Sequence, residues 1–470
     1  MAQLHDLSAL EQGRAIAAGQ VSSVELTKHY LERSARLDEQ VGAFAIRTPE
    51  LALEQARAAD AQGGRIGLSP LHGVVIPPKD LDAWAGVRCR LGSAAFDFVP
   101  EVDDHVVVRM QESGFVFTGK TSAPEFGLPA YTEPEVAPPS RTPWDLTRTA
   151  GGSSGGAAAA VAAGLVSAAV GSDGGGSIRI PASCCGLVGI KPSRGRVSNG
   201  PGGEGIGELG VQGPIARTVA DAAAVLDALS VPFVGDPFVA PQLSRGSTFL
   251  GAAAVEPGRL RIGRFSTPII TPTPVAAECL QAFDEASALL ERLGHTVVDI
   301  EVPFPADVFA YFEILWGVLT SAAELEPAQE AQLRPLTTWL RERGALVSGS
   351  LLARTVTDLR TMARTALQVM SDYDVILTPT LAQLPPLIGA MRNDADPAAD
   401  FAAQCAFTPY TSPFNLTGQP AISLPLHWTS EGLPVGIQLV GRLFDESTLI
   451  SLAAQLEAAQ PWIARRPAVW

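Results

Sequence analysis

The sequence predicts an α/β fold: a single large domain with a central mixed, mostly parallel β-sheet and helices on both faces. Three observations carry this expectation. Short apolar runs alternate with helical patterns from about residue 73 to 225, as strands joined by crossover helices do. The same alternation resumes after a long helical middle section, about 305 to 370. One sheet drawing strands from both sides of that section makes one domain over 1–470. At 46% hydrophobic and 18% charged residues, the chain lacks the apolar-poor, highly charged composition of disorder. Its length alone would also allow roughly two to four domains.

Taken in order, the N-terminal part reads helical. Ser8-Ala-Leu-Glu11 and Ser22-Ser-Val-Glu25 both fit a capping box, in which hydroxyl and carboxylate satisfy each other's free amides. Strand candidates follow at Val74–Ile76, Phe115–Phe117, Val166–Val170 and Leu187–Ile190. Later ones lie at Leu260–Ile262, Thr296–Ile300, Val375–Leu377, Ile422–Leu424 and Val435–Val440. Val231–Gly258, rich in Pro and Gly, reads as a surface connection. Two uncharged stretches raise the question of a membrane span. Thr149–Ser172 holds six glycines and reads better as a loop leading into a buried Ala-rich helix. Four prolines interrupt Phe401–Ser430, so it is not one spanning helix.

The 34 basic and 49 acidic side chains leave a formal charge of −15 without a basic block. That argues against a nucleic-acid partner, because phosphate binding needs clustered cations. Five cysteines without a CxxC spacing read as buried thiols of a reducing compartment. Met1–Glu11 shows no signal peptide, so a cytoplasmic protein without membrane contact is expected. The six histidines are scattered singly; no metal or other cofactor is expected.

Two motif matches are rejected. Gly114–Thr121 satisfies the GxxxxGK[ST] pattern. A phosphate loop needs small intervening residues and a helix directly after the Lys; these residues are β-branched or aromatic, and Pro124 follows. Gly152-Ser-Ser154-Gly-Gly156 satisfies GxSxG, but a nucleophile elbow needs a preceding strand and a suitable downstream His. The residues before it are not strand-like, His295 sits in a helix-to-strand turn, and His427 closes a strand.

Three segments stand out together. Lys79-Asp80 follows directly on the apolar run Leu71–Pro78, where an exposed turn lysine would be the ordinary reading. Gly151-Gly-Ser153-Ser154-Gly-Gly156 leads into Ala157–Ala163. Gly171-Ser-Asp173-Gly174-Gly175-Gly176-Ser177-Ile-Arg179-Ile-Pro181 follows. Glycine runs this dense let backbone amides approach a ligand, and serines embedded in two of them are more specific than a flexible linker.

Here the chain resembles the amidase signature family. The resemblance covers GGSSGG, GSDGGGSIRIPAS and GIKPSRGRVS between Gly151 and Ser198. It extends to Lys79-Asp80, to Gly119–Phe126, and to Gly213–Asp221. Near the C-terminus it includes Pro413–Ile422 and Gly432–Gly441. It implies the amidase signature fold, with a core over 65–225 and a more variable, substrate-side region over 230–410. It implies a catalytic triad of Ser177 as nucleophile, Ser153 as bridging serine after a cis peptide, and Lys79 as base. The family's two serines lie 24 apart, and 177 − 153 = 24 here; this selects Ser153 over Ser154. Amides from Gly174, Gly175, Gly176 and Ser177 match the oxyanion hole. Ser154, Asp173 and Arg179 match supporting positions.

The chemistry is coherent. A Ser hydroxyl needs a base, and a neutral lysine serves if its pKa falls roughly 2–3 units from about 10.4. Burial beside Val74–Ile76 acts in that direction. Three positions depart from the family pattern. Gly174 replaces a frequent side chain, which implies a more open acyl-side wall. Pro77-Pro78 stiffens the approach to Lys79, and Ser122 stands where many members carry Asn.

The expected function is hydrolysis of amide carbon–nitrogen bonds through an acyl-enzyme by a monomer or homodimer. The similarity at Ala130–Pro134 and Phe407–Ala421 leans toward bacterial amidases of the aryl acylamidase and nylon-oligomer type. Those take linear hydrophobic or aryl amides, and some relatives cleave carbamates; esters belong to the same expectation. The alternative is the glutaminase subunit of a tRNA-dependent amidotransferase, although Tyr410–Asn415 lacks charges to hold free glutamine. A catalytically dead binding protein is the third reading; the filled triad positions argue against it. Val308–Trp316 and Leu381–Ile388 are candidates to line an apolar pocket, with ordinary core as the competing reading.

Overall fold

Both capping boxes form. In the computed structural model, which describes residues 3–63, 67–202 and 205–470, the Ser8 amide donates to Glu11 Oε2 and the Glu11 amide to Ser8 Oγ. Ser22 and Glu25 make the same exchange. They open the helices Ala9–Ala17 and Ser23–Val41. Met1 and residue 65, the expected start of the core, lie outside the described residues.

A short antiparallel ribbon joins β1 (Phe44–Arg47) to β2 (Gly119–Thr121). Among the described residues the main sheet has eight strands. They are β3 (Ala168–Asp173), β4 (Val188–Lys191), β5 (Val211–Ala216), β6 (Arg261–Arg264), β7 (Thr296–Asp299), β8 (Val375–Pro379), β9 (Ala421–Trp428) and β10 (Pro434–Gly441). Their order is β3-β5-β4-β9-β10-β8-β6-β7. The sheet is mixed, as expected, but not mostly parallel. Only β6 pairs in parallel, with β7 and β8; the other five pairings among the described residues are antiparallel. A continuous apolar run reports burial on both faces, not strand direction. The short β9–β10 connection permits only an antiparallel pair.

Two strand candidates are not regular strands. Val74–Ile76 and Phe115–Phe117 run side by side through the isolated bridge Val75–Val116. Pro77 and Pro78 have no N–H to extend the ladder. Conversely, β5 is not among the strand candidates; Gly213 and Pro214 within it are residues that strands disfavour.

Successive residues point to opposite faces. Val375 and Leu377 of β8 enter a core with the helices Val219–Leu229, Ala277–Arg292 and Glu446–Ala459. Ile376 enters another beneath the helices Val308–Ser321 and Gly349–Met370. On that second face, beside β3, lies the wholly buried Ala-rich helix Gly155–Ala162. Thr149–Ser172 therefore resolves into loop, helix and strand. Val231–Gly258 is a connection carrying one short helix, Phe249–Ala252. Among the described residues no helix is long and apolar enough to cross a membrane.

Candidate active site

Three loops meet beside β3. Lys79 ends the apolar segment after Pro77-Pro78 and bridges to Thr121 of β2. Its amide donates to Asp82 Oδ2 (2.9 Å), which fixes the turn. The ordinary expectation of an exposed lysine does not hold: Lys79 is 0% exposed. Its Nζ donates to Ser153 Oγ (2.7 Å) and Ser172 Oγ (3.0 Å). Burial pulls the ammonium down to about 7, against the opposing pull of Asp82 and Asp173.

Ser153 follows a cis Gly152–Ser153 peptide bond at the entry to the Ala-rich helix. Ser154 fastens this loop to β3. Its hydroxyl donates to the Ser172 carbonyl (3.2 Å) and accepts from the Ser172 amide (3.3 Å). Its own amide donates to the Ser177 carbonyl (3.1 Å). Lys79 and Ser153 are thus joined side chain to side chain. Ser177 is brought to them through backbone, with no Ser153–Ser177 hydroxyl bond among the described residues. Ser172 is a polar contact of Lys79 that the motif reading passed over, although it sits inside GSDGGGS.

Asp173 and Arg179 form a fully buried ion pair. Arg179 Nε and Nη2 grip both carboxylate oxygens at 2.9 and 2.8 Å. Nη1 donates to the Thr411 carbonyl and Gln438 Oε1, and Nη2 also to Asn415 Oδ1, so all five guanidinium N–H groups are used. Burial would raise the Asp173 carboxyl, but Arg179 and its companions hold it well below the usual carboxylate range. The carboxylate accepts the amides of Gly176 (2.8 Å) and Ile178 (3.2 Å), shaping the turn that presents Ser177. The Gly176 amide, one of the four expected oxyanion donors, is thus engaged by Asp173. The amides of Gly175 and Ser177 have no acceptor among the described residues. Gly176 itself is obligatory, because a Cβ there would lie 2.4 Å from Thr411 Oγ1 at a φ of +129°.

Arg179→Met should leave the Asp173 charge buried and unpaired. The expected loss is about 3–5 kcal/mol of stability, read as a lowered denaturant midpoint together with lost activity. A wild-type midpoint would show that this pair does not hold the loop.

Gly175 and Ser177 border a pocket walled by aromatic rings. Phe309, Phe312 and Trp316 lie on one face of Val308–Ser321 and face the pocket, so this helix supplies both lining and core. Leu381–Ile388 does not line it: Leu381 packs in the core with the Ala-rich helix, and Leu387 bridges to Arg148. The wall expected to be open at Gly174 is closed from elsewhere, since Trp316 lies 3.5 Å from where a Cβ would stand. The two rejected motifs are structural. Lys120 is buried in an ion pair with Asp80 (3.0 Å), and Ser154 is the fastener described above.

Comparisons with known proteins agree with this architecture. The family model described as Amidase matches residues 25–450. AmiB2 of Mycobacterium tuberculosis, which carries an amidase name, is 40% identical over 466 residues, 98% of each chain. A solved 6-aminohexanoate cyclic dimer hydrolase, in complex with its substrate, matches with a TM-score of 0.91 at 31% identity over 100% of both chains. A bacterial aryl acylamidase structure matches with a TM-score of 0.85 at 26% identity, covering 99% of this chain and 100% of that one. With the family model spanning most of its length and a relative this similar end to end, the chain belongs to the amidase signature family and is an amidohydrolase.

Proposed function

We propose that this enzyme hydrolyses uncharged amides bearing an apolar, aryl-sized group, through an acyl-enzyme on Ser177. Ser177 Oγ attacks the carbonyl carbon. Its proton passes to Ser153, whose own proton passes to neutral Lys79. The free amides of Gly175 and Ser177, with Gly174 beside them, receive the oxyanion. The relay then runs backwards: Lys79 returns the proton through Ser153 to the leaving nitrogen, and the amine departs. Water enters and cleaves the acyl-enzyme by the same route. The Ser153–Ser177 link closes when substrate is bound.

The observation that carries the substrate class is the pocket lining. Phe309, Phe312, Trp316, Phe401, Ile180 and Ile270 dominate it, and no charged side chain among the described residues lines it. Its aromatic side comes from residues 230–410, which we assign as the substrate-side region, with 65–225 as the catalytic core. Free glutamine would bring an ammonium and a carboxylate into a wall that offers neither a countercharge. The glutaminase reading is therefore the weaker one. All five cysteines are free and buried, which fits a reducing, cytoplasmic setting.

A substrate panel tests this: an anilide, a short aliphatic amide, an activated ester, an aryl carbamate, a cyclic amide dimer and glutamine. The cyclic dimer is included because of the similar hydrolase. With the amine group held constant, an aryl acyl group should exceed a short aliphatic one in kcat/KM by roughly 10–200-fold, the span a well-filled apolar pocket supplies. The ester and carbamate should also be cleaved. A preference for glutamine would overturn the proposal.

A further inference from the structure

Position 174 and the ring stack above it bear on which substrate group the pocket takes, given the acyl-enzyme reading on which this inference rests. The leaving nitrogen must face Ser153, because only the Ser153–Lys79 relay returns a proton to it. The aromatic pocket is bordered by Gly175 and Ser177 but lined by neither Ser153 nor Lys79. The group seated among the rings is therefore the acyl group.

A Cβ built on Gly174 would lie 3.5 and 3.6 Å from two atoms of the Trp316 indole, ordinary van der Waals contact. A longer side chain extending in that direction would meet the ring. Trp316 is also held in place. It stacks on Phe312 (5.3 Å, 20°), Phe312 on Phe309 (5.8 Å, 21°), and Phe309 on Phe401 (6.1 Å, 24°). Near-parallel rings at these separations form a continuous flat wall, and swinging one would break its contacts with the next.

We infer that Trp316 is the specificity-determining residue for the acyl group, its indole taking the space that a side chain at 174 would fill and limiting the acyl length. Flat aryl and short straight acyl groups fit beside the stack, and long or branched ones meet the indole.

The test is a series of acyl anilides from acetyl to decanoyl, with benzoyl included. It uses wild type, Trp316→Ala, Gly174→Leu and the double variant. Trp316→Ala should move the optimum to longer acyl chains, changing the long-to-short ratio of kcat/KM by roughly 10–200-fold. Gly174→Leu alone should lose activity across the series, because Leu and indole compete for one space. Combining it with Trp316→Ala should recover activity, a non-additivity expected only of groups in contact. Trp316→Leu serves as the second variant if the alanine form does not fold. Labelling of Ser177 by a fluorophosphonate reports an intact site in each variant. A labelled Trp316→Ala with an unchanged ratio would overturn this inference alone, as would a shift confined to a matched series of amine groups. A wild type that does not label at Ser177 would overturn the acyl-enzyme reading and this inference with it.

Discussion

Ser177→Ala should abolish amide turnover while leaving the unfolding midpoint in place. The two effects separate because the Ser177 hydroxyl makes no hydrogen bond among the described residues. The neighbouring constraints act on backbone, through the Ser154 amide on the Ser177 carbonyl and the Asp173 carboxylate on the Gly176 amide. Alanine keeps all of these and removes only the nucleophile. Loss of a serine that forms the covalent intermediate is expected to lower kcat by about 10⁴- to 10⁶-fold. A fluorophosphonate should modify wild type at Ser177, which borders the pocket. It should not modify Ser154, which is 0% exposed with its oxygen bonded to both the amide and the carbonyl of Ser172. Mapping the adduct by peptide mass spectrometry checks this; modification of Ser154 would revive the elbow reading.

What the chain disclosed before its structure was known follows from how local each signal is. The capping boxes are complete within four residues, so they could be read directly. Apolar runs marked β4, β8, β9 and β10 in the right places, because burial is written in composition. Strand direction depends on which strands become neighbours, and apart from the short β9–β10 connection no local pattern records it. β5 was hidden by Gly213 and Pro214, whose turn chemistry outweighs three flanking apolar residues in any window. The site divides the same way. Lys79, Ser153 and Ser177 lie in dense motifs, and the resemblance placed them. The groups that hold Arg179 come from Thr411, Asn415 and Gln438, more than 230 positions away, and nothing in their immediate sequence announces the pairing. Trp316 is a related case. Its helix was visible as an apolar segment, but which rings face the pocket depends on a stack that includes Phe401, 85 residues further on (401 − 316 = 85). The bond from the Gly176 amide to a carboxylate three residues earlier is likewise not announced by the motif.

Lys79→Met should be nearly inactive on amides yet retain much more activity on nitrophenyl esters. An amine cannot leave without a proton, and the relay that supplies it ends on Lys79 Nζ, 2.7 Å from Ser153 Oγ. A nitrophenolate leaves unaided, so its loss reflects only the missing base. Removing general acid–base catalysis typically costs about 10²- to 10⁴-fold; the amide should sit at the upper end and the ester below it. Equal losses on both substrates would refute the general-acid role. The same lysine sets the pH dependence. An ordinary lysine stays protonated to about pH 10.4, whereas burial brings Lys79 to about 7. The base must be neutral to accept a proton. On a neutral anilide, kcat/KM should therefore fall as pH drops below 7, rise through a single ionisation near 7, and level off on the alkaline side. Asp82 and Asp173 face Lys79 and pull its pKa upward, so Asp82→Asn should move the inflection to lower pH. A second buried lysine, Lys191, is also brought down to about 7 by burial and by Arg179, but its Nζ donates to the Pro192 carbonyl and makes no hydrogen bond to a serine among the described residues. The two are told apart by the ester activity left in Lys79→Met: its inflection near pH 7 should vanish. If the inflection persists there, the base is not Lys79.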